Sequence, residues 1–299
     1  MDKFLAMQRF LMVAQTGSFT RAADILDLPK SSVSAAVQGL EKQLGVRLLH
    51  RSTRSVTLTL DGESYLGQCH GLLSELEAIE SQYQSDANMH GVLKVDMPSR
   101  FASDIVLPHL STWLETHPNI QLKVSTTDFK IDPIKEGVDC IIRAGDLQDS
   151  SLIAKPLTTY NMINCVSPSY IAQYGEPKTI DDLQQHMLID YAPKLGNSRA
   201  LFEYLDGDLA HQLPMKSQLA VNSTDAYLHA CLAGLGIIQV PDMTINRYLE
   251  NGQLIEVLPN YRCTQLPVWL LYPSRRNRSK KLTLFIEWLT ALIKTLNKQ

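Results

Sequence analysis

Apolar positions recur with a helical period three times over in the first sixty residues. Phe4, Met7, Leu11 and Ala14 hold helical spacing up to Thr16-Gly17, where Gly17 is a natural helix stop. Ser18 is placed to cap a second helix that turns Ala22, Ala23 and Leu26 inward. Pro29 stands where a third helix begins, a position that tolerates its missing amide hydrogen. In that helix Val33, Val37, Leu40 and Leu44 are spaced by four, three and four, one continuous apolar stripe. The opposite face carries Ser31, Ala35, Gln38 and Lys42 at the same spacing, flanked by Lys30 and Ser34. A solvated face favours Glu, Lys and Arg instead. Small side chains, hydroxyl and amide groups and a few cations suit a helix whose backbone must come close to base edges in a major groove about 12 Å wide.

The segment VRLLHRSTRSVTLT reads as a hairpin with strands Val46–His50 and Ser55–Thr59 and a tip of Arg51, Ser52, Thr53 and Arg54. Beside a groove-seeking helix such a tip is placed for phosphate or minor-groove contact; alone it reads equally as a solvated basic turn. From Thr59, a candidate cap, to about Ala87 there is no proline. Tyr65, Cys69, Leu72, Leu76, Ile79 and Tyr83 form a heptad seam with Leu66 and Leu73 beside it. Two readings stay open, a two-chain helix pair or a helix packed on its own domain.

Charge sharpens this picture. The 299 residues are 44% hydrophobic and 20% charged with a net charge of only -3, which suits two or three compact domains and excludes a disordered chain. Residues 1–60 nevertheless carry eight Lys and Arg against Asp2, Asp24, Asp27 and Glu41, whereas residues 61–90 carry six acids and no base. Attraction to phosphate belongs to one surface, so the basic first segment fits DNA and the acidic second does not.

Beyond Gly91 short strands and helices alternate. Val92–Val95, Ile120–Ser125 and Val138–Ile142 read as strands, with FASDIVLPHLSTWLETH as a helix between the first two, an order that implies a parallel sheet. A second unit spans about Ser167 to Leu266 and includes LAVNS, a helix Thr224–Ala233 and GLGIIQVP. The strand VWLLYP and a last helix Leu282–Leu296 return to the first unit. Two lobes with a cleft follow. Ligands of such sheets sit at strand carboxyl ends and helix amino termini, which nominates Ser99, Arg100, Thr126, Thr127, Arg143, Asn222, Ser223 and Gly236. Each has a structural alternative: Ser99 and Ser223 as helix caps, Arg143 as a partner of Asp128 or Asp146, Gly234 and Gly236 as helix stop and turn. Two arginines hint at a small anionic ligand.

The run Phe10 to Gly62, with its SFTRAAD opening, xxVSxxVxxLExxLG helix, RSTRxVxLT wing and closing Gly62, resembles the winged helix-turn-helix of LysR-type transcriptional regulators. VDCIIRAGDLQDSSLIAKPL, AVNST and CLAGLGIIQVP resemble the effector domain of that family less specifically. The resemblance implies a multidomain chain. It comprises an α winged helix-turn-helix (1–60), a linker and dimerisation helix (61–89), and a two-lobed α/β effector domain of solute-binding-protein fold (90–299). Lobe I is then about 90–166 and 267–299, and lobe II about 167–266. It implies double-stranded DNA and a small-molecule effector as partners, a homodimer through the linker helix and a homotetramer of such dimers. The DNA-binding set is Lys30, Ser31, Ser34, Gln38, Lys42, Arg51, Thr53 and Arg54. One departure is Ala35, where the family often carries arginine directly after the second serine; this shifts base contact toward Lys30, Ser31, Ser34 and Gln38.

An enzyme is disfavoured. There is no G-x-S-x-G, Walker loop, H-E-x-x-H or G-x-G-x-x-G, and the eight histidines lie apart. The five cysteines are scattered with no C-x-x-C, so reduced, buried thiols of a cytoplasmic protein are expected, with no metal, cofactor or catalytic residue. No apolar run is long enough to predict a signal peptide or membrane span. Two rivals are a two-lobed solute-binding or enzymatic domain whose first helices only mediate assembly, and a sequence-neutral architectural DNA protein.

Overall fold

A computed structural model describes residues 2–51, 56–81, 83, 89–129, 131–147, 152–192, 194–196, 199–273 and 278–297. The chain divides into two compact units, one of Met1–Met89 with Asp132–Asp139 and Pro273–Leu284, the other of His90–Ile131, Cys140–Tyr272 and Phe285–Gln299.

In the first unit α1 (Lys3–Thr16), α2 (Phe19–Leu26) and α3 (Lys30–Leu44) follow the sequence signals. Gly17 ends α1 at φ 61°, and the Ser18 hydroxyl accepts the Arg21 amide at 3.3 Å to start α2. Pro29 stands one residue before α3 rather than within it. Phe10, Val13, Ala22, Val33, Val37 and Leu40 are fully buried together, so the α3 stripe forms the core that fixes the opposite face outward. The hairpin is shorter than expected, with β1 (Leu49–Arg51) antiparallel to β2 (Val56–Leu58). Thr53 and Arg54, predicted at its tip, lie outside the described residues.

The helix α4 (Leu60–Ser81) is capped by Thr59, whose hydroxyl accepts the Gly62 amide at 2.9 Å and donates to the Arg47 carbonyl at 2.7 Å. Gly62 is required there because a Cβ would overlap the Leu48 carbonyl oxygen. The expected seam does not run unbroken along α4. Leu66 and Cys69 are buried in the winged core, with Tyr65 and Leu73 packed against it, while Leu72, Ile79 and Tyr83 are exposed. A helix of 3.6 residues per turn drifts off a 3.5-residue seam, and its first turns are held against α1. Farther along, α4 meets the short helix Pro133–Glu136, and the His70 ring covers Gly137, whose φ is 63°.

Among the described residues the second unit holds one five-stranded and one three-stranded sheet with two further two-stranded pairs. In the first, β3 (Gly91–Met97) lies between parallel neighbours β4 (Ile120–Thr126) and β5 (Cys140–Ala144), each longer or later than expected. The order is completed by β14 (Leu266–Pro273), antiparallel to β5, and β6 (Leu152–Tyr160), so the sheet is mixed rather than all parallel. The single helix expected before β4 is broken into a turn Ser99–Phe101, a π-helical stretch Ala102–Val106, a tight turn Leu107–His109 at Pro108 and a helix Leu110–Thr116. Trp113 of that helix meets Phe285 of the last helix, Lys280–Leu296, edge-on at 5.6 Å.

In the second sheet β7 (Met162–Val166) pairs antiparallel with β12 (Ile238–Pro241) and β13 (Ile255–Val257). β7 therefore belongs to lobe II, and the first crossing lies near Asn161 rather than after residue 166. The short strands β8 (Asp190–Tyr191) and β11 (Ala220–Val221) pair in parallel, and β9 (Leu201–Asp206) with β10 (Leu209–Pro214) forms an antiparallel ribbon. The helix Thr224–Leu232 buries Tyr227, Leu228 and Cys231 in the lobe II core.

Candidate nucleic-acid interface and ligand cleft

Of the candidate DNA-facing residues, Lys30, Ser31, Gln38 and Lys42 are exposed along one side of α3 and Ser34 is half-buried beside them. Ala35 is exposed in the middle of that row, which leaves the backbone of α3 accessible. Gln38, Arg47 and Arg51 share a polar concavity between α3 and β1. The Arg51 guanidinium pairs with Glu41 at 2.7 Å and lies over the Phe19 ring at 5.0 Å. Glu41, which sequence reasoning missed, also accepts the amides of Leu48 and Leu49 at 3.0 and 3.2 Å, so one carboxylate of α3 sets the position of the wing strand.

The second unit contains a cavity of about 280 Å³ between its lobes, with a mostly hydrocarbon wall. Of the eight cleft candidates, Arg100, Thr127 and Arg143 line it and five do not. Thr126 ends β4 facing solvent and Asn222 is exposed. Ser223 caps the following helix, accepting the Ala226 amide at 3.2 Å. Ser99 contributes its backbone amide to Asp128 at 3.0 Å. Gly236 is excluded by packing: a Cβ would meet the Met187 carbonyl oxygen at 2.8 Å, so its role is close backbone approach within lobe II.

Both arginines are already engaged. Arg143 bonds neither Asp128 nor Asp146; it pairs with Asp96, a fully buried carboxylate of β3, and donates to Thr127 Oγ1 at 2.8 Å and the Phe129 carbonyl at 3.2 Å. Arg100 is buried, pairs with Asp104 at 2.6 Å and donates to the Thr244 carbonyl of lobe II at 2.8 Å. Burial outweighs the arginines at Asp104 and raises its pKa above the usual carboxylate value. Asp128 spans the lobes: one oxygen accepts the Ser99 amide, the other the Thr224 amide and hydroxyl at 2.7 and 3.0 Å. Each of the two cations thus carries its own carboxylate. Tyr160, Tyr191 and Tyr227 complete the wall, and burial followed by the Asp128 charge pushes Tyr191 up to about 12, so it stays a neutral hydroxyl.

Asp96 had a sequence signal, a lone acid in the apolar run GVLKVDM, whereas the partners of Asp128 lie 29 and 96 residues away and had none.

Comparison with known proteins places these features. Residues 4–63 match the family described as bacterial regulatory helix-turn-helix protein, lysR family, and residues 86–294 match the LysR substrate binding domain. The chain is 43% identical to the uncharacterized HTH-type transcriptional regulator YhjC of Escherichia coli over 98% of this chain and 99% of that one. It is 35% identical to an HTH-type transcriptional repressor of Pseudomonas aeruginosa, covering 98% and 92% of the two chains. The solved structure of CrgA, a LysR-type transcriptional regulator from Neisseria meningitidis, superposes with a TM-score of 0.61 at 28% identity, covering 98% of each chain.

Proposed function

The chain belongs to the LysR-type family of transcriptional regulators, DNA-binding proteins with an effector-binding domain, and on that premise we propose how its residues divide the work. Helix α3 enters the major groove, with Lys30, Ser31, Ser34 and Gln38 reading base edges and Lys42 reaching phosphate. Arg51, Thr53 and Arg54 of the wing hold the backbone or minor groove. The observation that carries this reading is the α3 face itself, with Lys30, Ser31, Ala35, Gln38 and Lys42 exposed and Ser34 half-buried beside them, while Val33, Val37 and Leu40 of the reverse face are buried.

Two chains pair through α4, whose Leu72 and Ile79 are 45% and 41% exposed, with Phe4 and Leu5 of α1 also exposed. Such a dimer presents two α3 helices to an interrupted inverted repeat, and dimers associate into tetramers. The protein works in the cytoplasm; no described helix is long and apolar enough to cross a membrane. A small molecule in the cavity, touching Arg100, Thr127 and Arg143, favours one arrangement of the oligomer over another and so changes how the paired helices sit on DNA.

The test is binding of the full chain to its DNA site and to random DNA across a salt series. Steep salt dependence on both is expected. Gln38→Ala should relax preference at particular base positions, costing about 1–3 kcal/mol on the specific site alone, whereas Lys42→Ala should weaken all sequences alike. Equal loss on specific and random DNA for Gln38→Ala would remove it from the reading set. A chain without salt-dependent affinity would favour a helical domain that serves only assembly.

A further inference from the structure

The cavity wall has three features that ordinarily attract an anion: the Arg100 and Arg143 guanidiniums and the helix start at Thr224. Each is already matched by a carboxylate of the chain. Asp96 neutralises Arg143 from behind, Asp104 neutralises Arg100, and Asp128 places its two oxygens on the amides of Ser99 and Thr224. Asp225 adds a further negative charge 3.7 Å from Arg100. Each cation of the site therefore has its counter-charge before any ligand arrives, and Arg100 Nε alone is a buried donor without an acceptor among the described residues. A second carboxylate entering there would be desolvated without a free counter-charge, at an effective penalty of several kcal/mol. What stays open to a ligand is aromatic and aliphatic surface with two neutral groups, the hydroxyls of Tyr160 and Tyr191.

We propose that the cavity selects an uncharged, mainly apolar ligand bearing one or two hydrogen-bonding groups, and that Asp96 and Asp128 are the residues that set this specificity against carboxylates. The inference rests on the reading of the cavity as the effector site. Asp96 acts through Arg143 without lining the cavity, while Asp128 stands on the wall and closes the lobes over the ligand. Asp96 can be made neutral without loss of shape, since an asparagine keeps the one oxygen that Arg143 and Thr127 use, whereas an asparagine at 128 keeps an acceptor for only one of the two amides.

The experiment uses matched pairs that differ only in charge: benzamide against benzoate, and naphthalene-2-carboxamide against 2-naphthoate. Affinity for the full-length chain is measured by saturation-transfer NMR and calorimetry at pH 7.5. The amide of each pair should bind about tenfold or more tightly than its carboxylate, a modest fraction of the desolvation penalty. Asp96→Asn should raise carboxylate affinity severalfold and leave amide affinity within about twofold, and Asp128→Asn should raise carboxylate affinity relative to amide affinity severalfold. A purely structural role for either residue would lower both ligands together. Wild-type carboxylates binding as tightly as the amides, or a variant weakening both members alike, overturns the proposal while leaving the cavity as the effector site. Absence of binding by every member of both series rejects the cavity itself and this inference with it.

Discussion

Glu41 is the junction between the reading helix and the wing, and truncating it should loosen one without unfolding the other. Its Oε1 is the acceptor for the Leu48 and Leu49 amides, and its Oε2 pairs with Arg51. Both leucines are buried, so Glu41→Ala leaves two donors without a protein acceptor, at about 1–3 kcal/mol each, reduced where water reaches them. The half-exposed ion pair adds no more than about 1 kcal/mol. A total of about 3 kcal/mol follows, roughly a hundredfold in local opening. Glu41→Gln keeps an amide oxygen for both donors and loses only the ion pair, about 0.5–1 kcal/mol or roughly threefold. Hydrogen–deuterium exchange of peptides covering residues 44–51 reads this directly, because Leu48 and Leu49 are the exchanging amides. Wing exchange should accelerate strongly in Glu41→Ala and slightly in Glu41→Gln, with peptides of α1 unchanged. Equal acceleration in the two variants would show that charge, not the amide acceptor, holds the wing, and would refute the reasoning.

Other expectations follow from the same physics. Gly62→Ala forces a methyl group into the Leu48 carbonyl and should destabilise the winged unit by about 3 kcal/mol, read as lost DNA affinity and lost protection of α1. All five thiols are buried, and burial pushes Cys69 and Cys263 up to about 11 and Cys231 to about 12, so a thiol reagent at pH 8 should label the native chain only as fast as it unfolds. Prompt stoichiometric labelling would contradict that burial. Asp104 has a folded pKa raised above its unfolded value, so the folded state takes up its proton first, and the stability it contributes grows as pH falls from that raised value toward 3.8. Asp104→Asn lacks this term, and its melting temperature should drop more steeply than wild type on acidification from pH 7 to 4; parallel curves would argue against the raised pKa.

The winged domain was legible because its signals are local. A four-three-four apolar stripe, a serine cap and glycine stops act within a few residues, and the α3 face is simply what remains once the stripe is buried. The linker was half legible: periodicity located α4, but its first turns pack on their own domain, which depends on a surface that only folding creates. In the effector domain, of the residues nominated from strand ends Arg100, Thr127 and Arg143 line the cavity, while Thr126 and Asn222 face solvent, because the strand's twist and the following turn decide which way an end residue points. Gly236 was misassigned because a glycine that admits a neighbouring backbone and one that admits a ligand look the same in sequence. The matching of charges was not legible at all. Asp96 and Arg143 are 47 residues apart and Asp128 joins segments from two lobes, so the ligand chemistry turns on pairings fixed only by the sheet order.

Which DNA the full chain retains tests the role of the α3 face most directly. Fragmented genomic DNA is incubated at moderate salt with the wild type and with a Lys30→Ala, Gln38→Ala variant, both surface positions of α3, and the retained fragments are sequenced. A small set of intergenic fragments that share an interrupted inverted repeat is expected, lost in the variant while weak retention of bulk DNA persists. Featureless retention, or the same fragments held equally by wild type and variant, would contradict the claim that this face of α3 reads sequence.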